Sequence, residues 1–195
     1  MKRSRAFPLA IVASLAFFAA GCGQSQAISH PAPAKSTQKA SPINKTTKIL
    51  REGTAPYMGS ANLRKYEQAA SANPTSYKAQ LYAGLAASVN NNPTKAIQYW
   101  QDAIKVDPHV GNAYEYIGNV YLEDYNNPKE AMTWYKKSIT YGPSYDYGWY
   151  RVVQLEVQFG DMPAAKKYAA EAAKVLPKGN KVLANLETFV APKKG

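Results

Sequence analysis

Apolar positions between residues 59 and 190 recur at helical spacing, and prolines interrupt them at nearly equal intervals. These prolines are Pro74, Pro108, Pro143 and Pro177, which stand 34, 35 and 34 residues apart. Proline lacks an amide donor and disfavours helix in the residue before it, so it ends a helix. Helical segments that repeat with a period near 34 residues indicate stacked helix–turn–helix units. The pattern therefore predicts an all-α fold.

Residues of the same type occupy matching positions when the chain is aligned on these prolines. Gly84 and Gly118 coincide at the eighth position of a unit, where glycine costs about 1 kcal/mol relative to alanine in a helix interior. Trp100 and Tyr135 coincide in the following helix. We expect each glycine to let the two helices of its unit approach closely, with the aromatic ring filling the gap. The third unit departs at both positions, with Val153 and Ala169.

The period and these positions resemble the tetratricopeptide repeat over about residues 59–190. The resemblance implies a right-handed α-solenoid of three full units, at residues 77–110, 111–145 and 146–179. The segment from residue 59 to residue 76 is similar to a lone second helix, which gives a partial N-terminal unit. Residues 180–190 are expected to form a capping helix over the last apolar face, as repeat arrays require.

The turns between helices carry residues that favour helix starts. Asn92 and Asn127 each precede a proline, which places a capping side chain before a proline at the first helical position. Glu130 follows Asn127 by three residues, the spacing of a capping box. Asp161 is expected to start the second helix of the last unit.

The first 22 residues predict an export signal. Residues 1–5 are basic, residues 6–20 are apolar but short for a membrane span, and residues 19–22 are Ala-Ala-Gly-Cys. This ending resembles the lipobox of bacterial lipoproteins, and the resemblance implies cleavage after residue 21 and a diacylglycerol on Cys22. We therefore expect a lipid-anchored protein on the extracytoplasmic side of a bacterial cell membrane. An ordinary secretory signal with an idle cysteine, or an uncleaved anchor, are the alternatives.

Residues 22–58 are interpreted as the lipidated cysteine and a flexible tether, since the first half is rich in Pro, Ser, Thr, Gln, Ala and Lys. The formal net charge is +11, but residues 77–179 carry 11 basic and 10 acidic side chains. The excess positive charge therefore lies towards the ends of the chain, which include a short tail at residues 191–195. Since the folded part has no basic stripe interleaved with aromatic residues, we expect no binding to nucleic acid.

No motif in the sequence points to catalysis. His30 lies in the predicted tether and His109 in a turn between units, and neither has a second ligand-type residue at metal spacing. Phosphate-binding loops, nucleophile elbows and zinc-protease motifs are not found. We therefore expect neither an enzyme nor a protein that needs a metal or another cofactor.

The first helix of each unit is expected to line the concave side of the solenoid. Helical spacing places the second, fifth, sixth and ninth positions of these helices near one face. We predict that this groove binds a partner, with tyrosine and arginine as the side chains best suited to anchor an interface. The predicted contact residues are Leu81, Tyr82, Leu85, Glu115, Tyr116, Asn119, Tyr147, Tyr150, Arg151 and Gln154.

Two functions are consistent with such a groove. The first is a scaffold for protein–protein interaction in the cell envelope, which binds a peptide segment of another envelope protein. The second is binding to the cell wall or to a glycan, because tyrosine rings stack on sugars and the basic tether could contact an anionic polymer. Asn119 and Arg151 resemble part of the clamp with which some repeat proteins hold a C-terminal carboxylate. Leu81 and Tyr147 stand where the lysines of that clamp would be, so this activity is not expected.

Overall fold

The computed structural model describes residues 55–192, and within them the chain is helical throughout, with no strand. A short 3-10 turn at Ala55–Tyr57 comes first. The eight α-helices that follow are α1 (Ser60–Ala72), α2 (Tyr77–Val89), α3 (Pro93–Val106), α4 (Gly111–Glu123), α5 (Pro128–Tyr141), α6 (Asp146–Phe159), α7 (Met162–Val175) and α8 (Lys181–Val190). The all-α prediction is confirmed.

Three helical hairpins form the body of this fold. Helix α2 packs with α3, α4 with α5, and α6 with α7. Neighbouring hairpins touch through α3 with α4 and through α5 with α6, and α8 packs on both helices of the last hairpin. The hairpins fall within residues 77–110, 111–145 and 146–179. Each unit therefore buries its apolar faces against the next, as in the predicted solenoid.

Two glycines set how closely the helices of a hairpin approach. A Cβ atom built on Gly118 would lie 2.4 Å from Cε1 of Tyr135, and one built on Gly84 would lie 2.2 Å from Nε1 of Trp100. Both distances are far below van der Waals contact, so only glycine fits beside these rings. The predicted reason for the glycines is confirmed.

In the third hairpin the large and the small side chain at these two positions are exchanged between the helices. Val153, which takes the place of the glycine, is fully buried. Ala169 takes the place of the aromatic residue and packs against the same core as Val153. The larger side chain thus lies on α6 and the smaller one on α7, so the pair can fill the gap without a glycine.

Side-chain caps begin the second helices as predicted. Asn92, Asn127 and Asp161 each accept a hydrogen bond from the backbone amide three residues later, at 3.2, 3.1 and 2.9 Å. The predicted capping box at Glu130 is wrong, because the amide of Asn127 donates to the carbonyl oxygen of Tyr121 at 2.7 Å, and the Glu130 carboxylate accepts from Nε1 of Trp134 at 3.0 Å. Since a buried indole N–H needs a partner, the carboxylate of Glu130 serves the ring, and only half of the capping box forms.

The described fold begins before residue 59, the predicted start of the repeat domain. Nδ2 of Asn90 donates to the carbonyl oxygen of Tyr57 at 2.9 Å, and its Oδ1 accepts from the amide of Gly59 at 2.8 Å. The ring of Tyr57 also lies against Tyr66, with 5.0 Å between centroids. Residues 55–58 are therefore part of the packed domain. The predicted leader at residues 1–21, Cys22 and the rest of the tether lie outside the described residues.

Helix α1 is a second helix whose matching first helix is not found among residues 55–192. Ala69 is exposed on α1, whereas the residues that match it in later units, Ala103, Ser138 and Ala172, are completely buried. None of the described helices combines the length and the apolar character that a membrane span requires.

Candidate docking face

Tyrosine residues occur on each of the first helices α2, α4 and α6 and in the turn at Ala55–Tyr57. We call five of them the tyrosine face, which consists of Tyr57, Tyr82, Tyr116, Tyr147 and Tyr150. The rings of Tyr57 and Tyr82 lie 6.0 Å apart, and those of Tyr147 and Tyr150 lie 6.3 Å apart. Tyr150 in turn lies 5.4 Å from Phe189 on α8. The face therefore extends from the turn at the N-terminal end of the domain to its capping helix.

Tyr116 lies at the centre of the tyrosine face, and its ring packs 5.3 Å from Trp100. Burial raises the pKa of the Tyr116 phenol to about 12, and Glu115 and the phenols of Tyr57, Tyr82 and Tyr147 contribute in the same direction. The phenol of Tyr116 therefore remains a neutral hydroxyl that can donate or accept a hydrogen bond.

Two rings of the face are accessible to a partner. Tyr82 is 38% exposed and Tyr147 is 54% exposed. Tyr116 and Tyr150 are half-buried, so their positions are fixed by packing while part of each ring remains open. Rigid aromatic rings with polar tips provide contact area at little entropic cost, which suits them to anchor an interface.

A buried polar cluster lies beneath the tyrosine face and links α4 to α6. Oε1 of Glu115 accepts from Nδ2 of Asn119 at 2.7 Å and from Nε of Arg151 at 3.2 Å. Its Oε2 accepts from the hydroxyl of Tyr145 at 3.3 Å. The hydroxyl of Tyr135 donates to Oδ1 of Asn119 at 2.8 Å. One buried carboxylate thus joins the second unit to the third.

The charges of this cluster are balanced inside the protein. Burial raises the pKa of Glu115, although Arg151, Asn119 and Tyr145 all favour its ionised form. Burial also disfavours the Arg151 cation, but Glu115 more than compensates and the pKa of Arg151 is raised. Burial is the main reason for the raised pKa of Tyr145, and Glu115 adds to it. Arg151 is therefore a structural ion-pair partner, with a further loose contact to Glu123 at 3.8 Å.

The structure divides the ten predicted contact residues into two groups. Leu81 and Glu115 are only 7% and 3% exposed, so they pack within the fold and offer almost no surface to a partner. This corrects their placement on the open side of the groove: Tyr145 and Arg151 of the next unit cover Glu115, and Leu81 packs in the core around Trp100. Leu85 is half-buried against the core around Trp100.

The polar residues Asn119 and Gln154 of the predicted groove already form hydrogen bonds within the protein. Asn119 uses both its amide nitrogen and its amide oxygen in the buried cluster. Gln154 accepts from Nη1 of Arg151 at 3.3 Å. The surface that remains for a partner consists mainly of Tyr82, Tyr116, Tyr147 and Tyr150. Whether a partner binds these residues stays a prediction.

Sequence reasoning misses Tyr57 and Tyr145. The sequence puts Tyr57 in the tether, and only its contacts with Tyr66 and Tyr82 bring it to the face. Tyr145 directly precedes α6 and lies 30 residues from its partner Glu115. A hydrogen bond between residues of different units has no signal in the local pattern.

His109 is exposed in its turn, and residues 55–192 contain no group of three side chains suited to hold a metal ion.

Comparison with solved structures identifies the fold class of this chain. The sequence matches no protein-family model and no curated protein. Among solved structures it is similar to TTC0263, a thermophilic tetratricopeptide-repeat protein of Thermus thermophilus, with 14% identity and a TM-score of 0.56 over 74% of this chain and 77% of that one. It is also similar to MamA, with 15% identity and a TM-score of 0.50 over 76% of this chain and 91% of the other. Residues 55–192 therefore have the fold of a tetratricopeptide-repeat protein, an all-α solenoid of stacked helical hairpins.

Proposed function

We propose that this protein is a lipid-anchored scaffold that binds an extended peptide segment of another cell-envelope protein on its tyrosine face. The observation that carries the proposal is the presence of partly open tyrosine rings on each of the three first helices, with Tyr57 against Tyr82 at one end and Tyr147 against Tyr150 at the other. Stacked helical repeats use such extended surfaces to bind their partners. The proposal assigns no reaction to the chain.

The tyrosine face is suited to a peptide for two reasons. The rings of Tyr116 and Tyr150 are held by packing, so fewer rotamers must be fixed when a ligand binds. Its hydroxyls can pair with the backbone amides and carbonyls of an extended chain, while the ring faces cover apolar side chains. Arg151 and Glu115 neutralise each other beneath the face, which favours a ligand recognised mainly by aromatic contact.

The anchoring part of the proposal depends on the sequence of residues 1–22. Two acyl chains hold a protein stably at a membrane, whereas one does not, and the lipobox resemblance implies a diacylglycerol on Cys22. Labelling cells with a radioactive fatty acid tests this directly. Label should appear in the wild-type protein and be absent from Cys22→Ser, and equal labelling of both would refute the anchor.

Site-specific photo-crosslinking in intact cells tests the docking face. A photoreactive phenylalanine derivative is placed at Tyr150, and in a matched control at the exposed Thr133 on α5. We expect a discrete adduct with one protein from position 150 and none from position 133. Adducts of equal yield from both positions, or none from position 150, would contradict the proposed face.

Binding to the cell wall or to a glycan is the second candidate, and the exposed ring of Tyr147 favours it, since an open aromatic face stacks on a sugar ring. Sedimentation with purified cell wall separates the two functions. A wall binder would sediment with the polymer, and Tyr147→Ala would release it. A peptide scaffold would stay in solution and give the protein adduct described above.

A further inference from the structure

Positive charge in this domain is concentrated on the second helices. Helices α3, α5 and α7 carry two, three and three lysines, with one acidic residue each. Four of the five lysines on α3 and α5 have a partner inside the domain, either a carboxylate or an aromatic ring. The pairs are Lys95 with Glu67, Lys105 with Asp102, Lys136 with Glu156, and Lys137 with the ring of Trp134.

The lysines of the third hairpin have no such partners. Lys166, Lys167 and Lys174 on α7 and Lys178 in the turn after it are all exposed. None of the four forms an ion pair with an acidic side chain of residues 55–192. We call these four residues the lysine face. Its positive charge is therefore available to a partner outside the domain.

Three acidic residues near the lysine face reduce its charge but do not cancel it. Asp161 accepts from the amide of Ala164 at 2.9 Å, Glu171 is half-buried, and Glu187 on α8 is exposed. Residues 161–190 carry five lysines and these three acids, which leaves a net charge of +2. The lysines of α7 lie within about 12 Å along the helix axis, which is close to the Debye length at physiological salt. Their attraction for one anionic surface therefore adds.

The residue types of α7 and its neighbours favour a broad anionic surface over a single phosphate group or a nucleic acid. All basic residues of α3, α5 and α7 are lysines, whereas a specific phosphate ligand is best held by the planar fork of arginine. Single-stranded nucleic acids also need open aromatic rings for base stacking. Trp134 is buried, and Tyr168 is half-buried with Lys136 over its ring at 5.4 Å.

Exposed apolar side chains lie at both ends of α7. Phe159 ends α6 just before the turn into α7 and is 48% exposed, and Val175 ends α7 and is 46% exposed. Helix α7 has 14 residues and is therefore about 20 Å long. A hydrophilic polyanion offers no apolar contact to these side chains, whereas the interface of a bilayer accepts lysines and apolar side chains together.

We infer that the lysine face docks on a membrane surface that contains anionic phospholipids. Helix α7 lies along this surface, with the lysine ammonium groups at the headgroups and with Phe159 and Val175 entering the interface. The inference goes beyond the proposed function and does not need a lipid on Cys22. Because the tyrosine face belongs to the first helices and to the turn before α1, docking through a second helix leaves it open to a protein partner.

A fluorescent label that brightens in an apolar environment tests the docking. The sample is the chain from residue 22 onwards with Cys22→Ser, which carries no lipid and no other cysteine. The label is attached to Ala170→Cys on α7, and in the matched control to Ala61→Cys on α1, since both alanines are exposed. Vesicles of phosphatidylglycerol and phosphatidylcholine should brighten the label at position 170 only, and vesicles of phosphatidylcholine alone should brighten neither. Equal responses at both positions, or none at position 170, would overturn the inference.

Paired lysine substitutions test the charge. Lys166→Gln with Lys174→Gln should weaken vesicle binding by about 25-fold, since each lysine near an anionic surface contributes about 5-fold. The control is Lys78→Gln with Lys105→Gln, which makes the same change of charge at two exposed positions of the first hairpin. It should weaken binding by less than about 3-fold. Equal losses from the two pairs would show that net charge, rather than the lysine face, attracts the vesicle.

Two valines at matching positions test the apolar contact. Val175→Ser should weaken vesicle binding by about 3- to 10-fold, the effect of withdrawing about half of a valine side chain from the interface. Val106→Ser should have no effect, although Val106 also ends a second helix and is 38% exposed. Equal effects of the two substitutions would contradict the orientation of α7. Sedimentation with purified cell wall or with RNA, but no response to vesicles, would replace the membrane with a polyanion.

The vesicle assay and the crosslink from position 150 fail independently. Brightening at position 170 without a protein adduct from position 150 would support membrane docking and reject the peptide scaffold. An adduct without any vesicle response would support the scaffold and reject the docking.

Discussion

Gly118→Ala is the substitution whose outcome the structure defines most sharply. The new methyl group would lie 2.4 Å from Cε1 and 2.6 Å from Cδ1 of Tyr135, whereas carbon atoms pack best about 3.5–4.0 Å apart. The ring of Tyr135 is fully buried, and its hydroxyl donates to Asn119 at 2.8 Å. The ring therefore cannot move aside without breaking this bond and opening the α4–α5 contact.

Two opposing effects set the magnitude for Gly118→Ala. Alanine favours the helix by about 1 kcal/mol relative to glycine. Overpacking a well-packed core costs about 1–3 kcal/mol, and the short distance to an immobile ring places this site at the upper end. The free energy of unfolding should therefore fall by about 2 kcal/mol. Helix propensity alone predicts the opposite sign.

Urea unfolding followed by far-ultraviolet circular dichroism measures the effect as a lower midpoint. Tyr135→Ala provides the matched background, because the ring that would collide is gone. In that background Gly118→Ala should raise the free energy of unfolding by about 1 kcal/mol, the propensity gain alone. The reasoning would be refuted if Gly118→Ala stabilised the protein with Tyr135 in place, or if its effect were the same in both backgrounds.

Three further perturbations test the buried cluster, the caps and the face. Burial raises the pKa of Glu115 above its ordinary 4.5, so the folded state binds this proton more tightly than the unfolded state does. The contribution of this proton to the free energy of unfolding is therefore fully present below about pH 4.5 and is lost as the pH rises through the folded-state pKa. Glu115→Gln should remove that part of the pH dependence of the urea midpoint. Glu115→Ala at neutral pH should cost about 3–5 kcal/mol, because Arg151 then keeps only the loose 3.8 Å contact to Glu123 as an ion pair; the cost should be smaller when combined with Arg151→Met. Asn127→Ala should lower the free energy of unfolding by about 1 kcal/mol, measured in the same way, because it removes a helix cap. Tyr147→Ala with Tyr150→Ala should weaken partner binding by about 1–3 kcal/mol at unchanged circular dichroism, read as loss of crosslinking from Tyr82 rather than from position 150.

The features that could be predicted from the sequence are those set by local residue types and their spacing. The spacing of Pro74, Pro108, Pro143 and Pro177 predicted the helical hairpins, because a proline ends a helix wherever it stands. Gly84 and Gly118 indicated close helix contacts, because glycine in a helix interior needs a packing reason. The partners of the glycines were also predicted, since a fixed period brings the same two positions of every unit together.

Only the tertiary structure shows which side chains of neighbouring units contact each other. Glu115 was expected on an open groove, but it is buried because Tyr145 and Arg151, 30 and 36 residues later, close over it. Tyr57 joined the candidate face only through Asn90, 33 residues away. Helical spacing determines which side chains share a helix face, but the side that meets another helix depends on how the hairpins stack. The sequence by itself therefore determined the repeating hairpins and their close contacts, and the stacking of the hairpins decided which polar residues are buried and which tyrosines remain open.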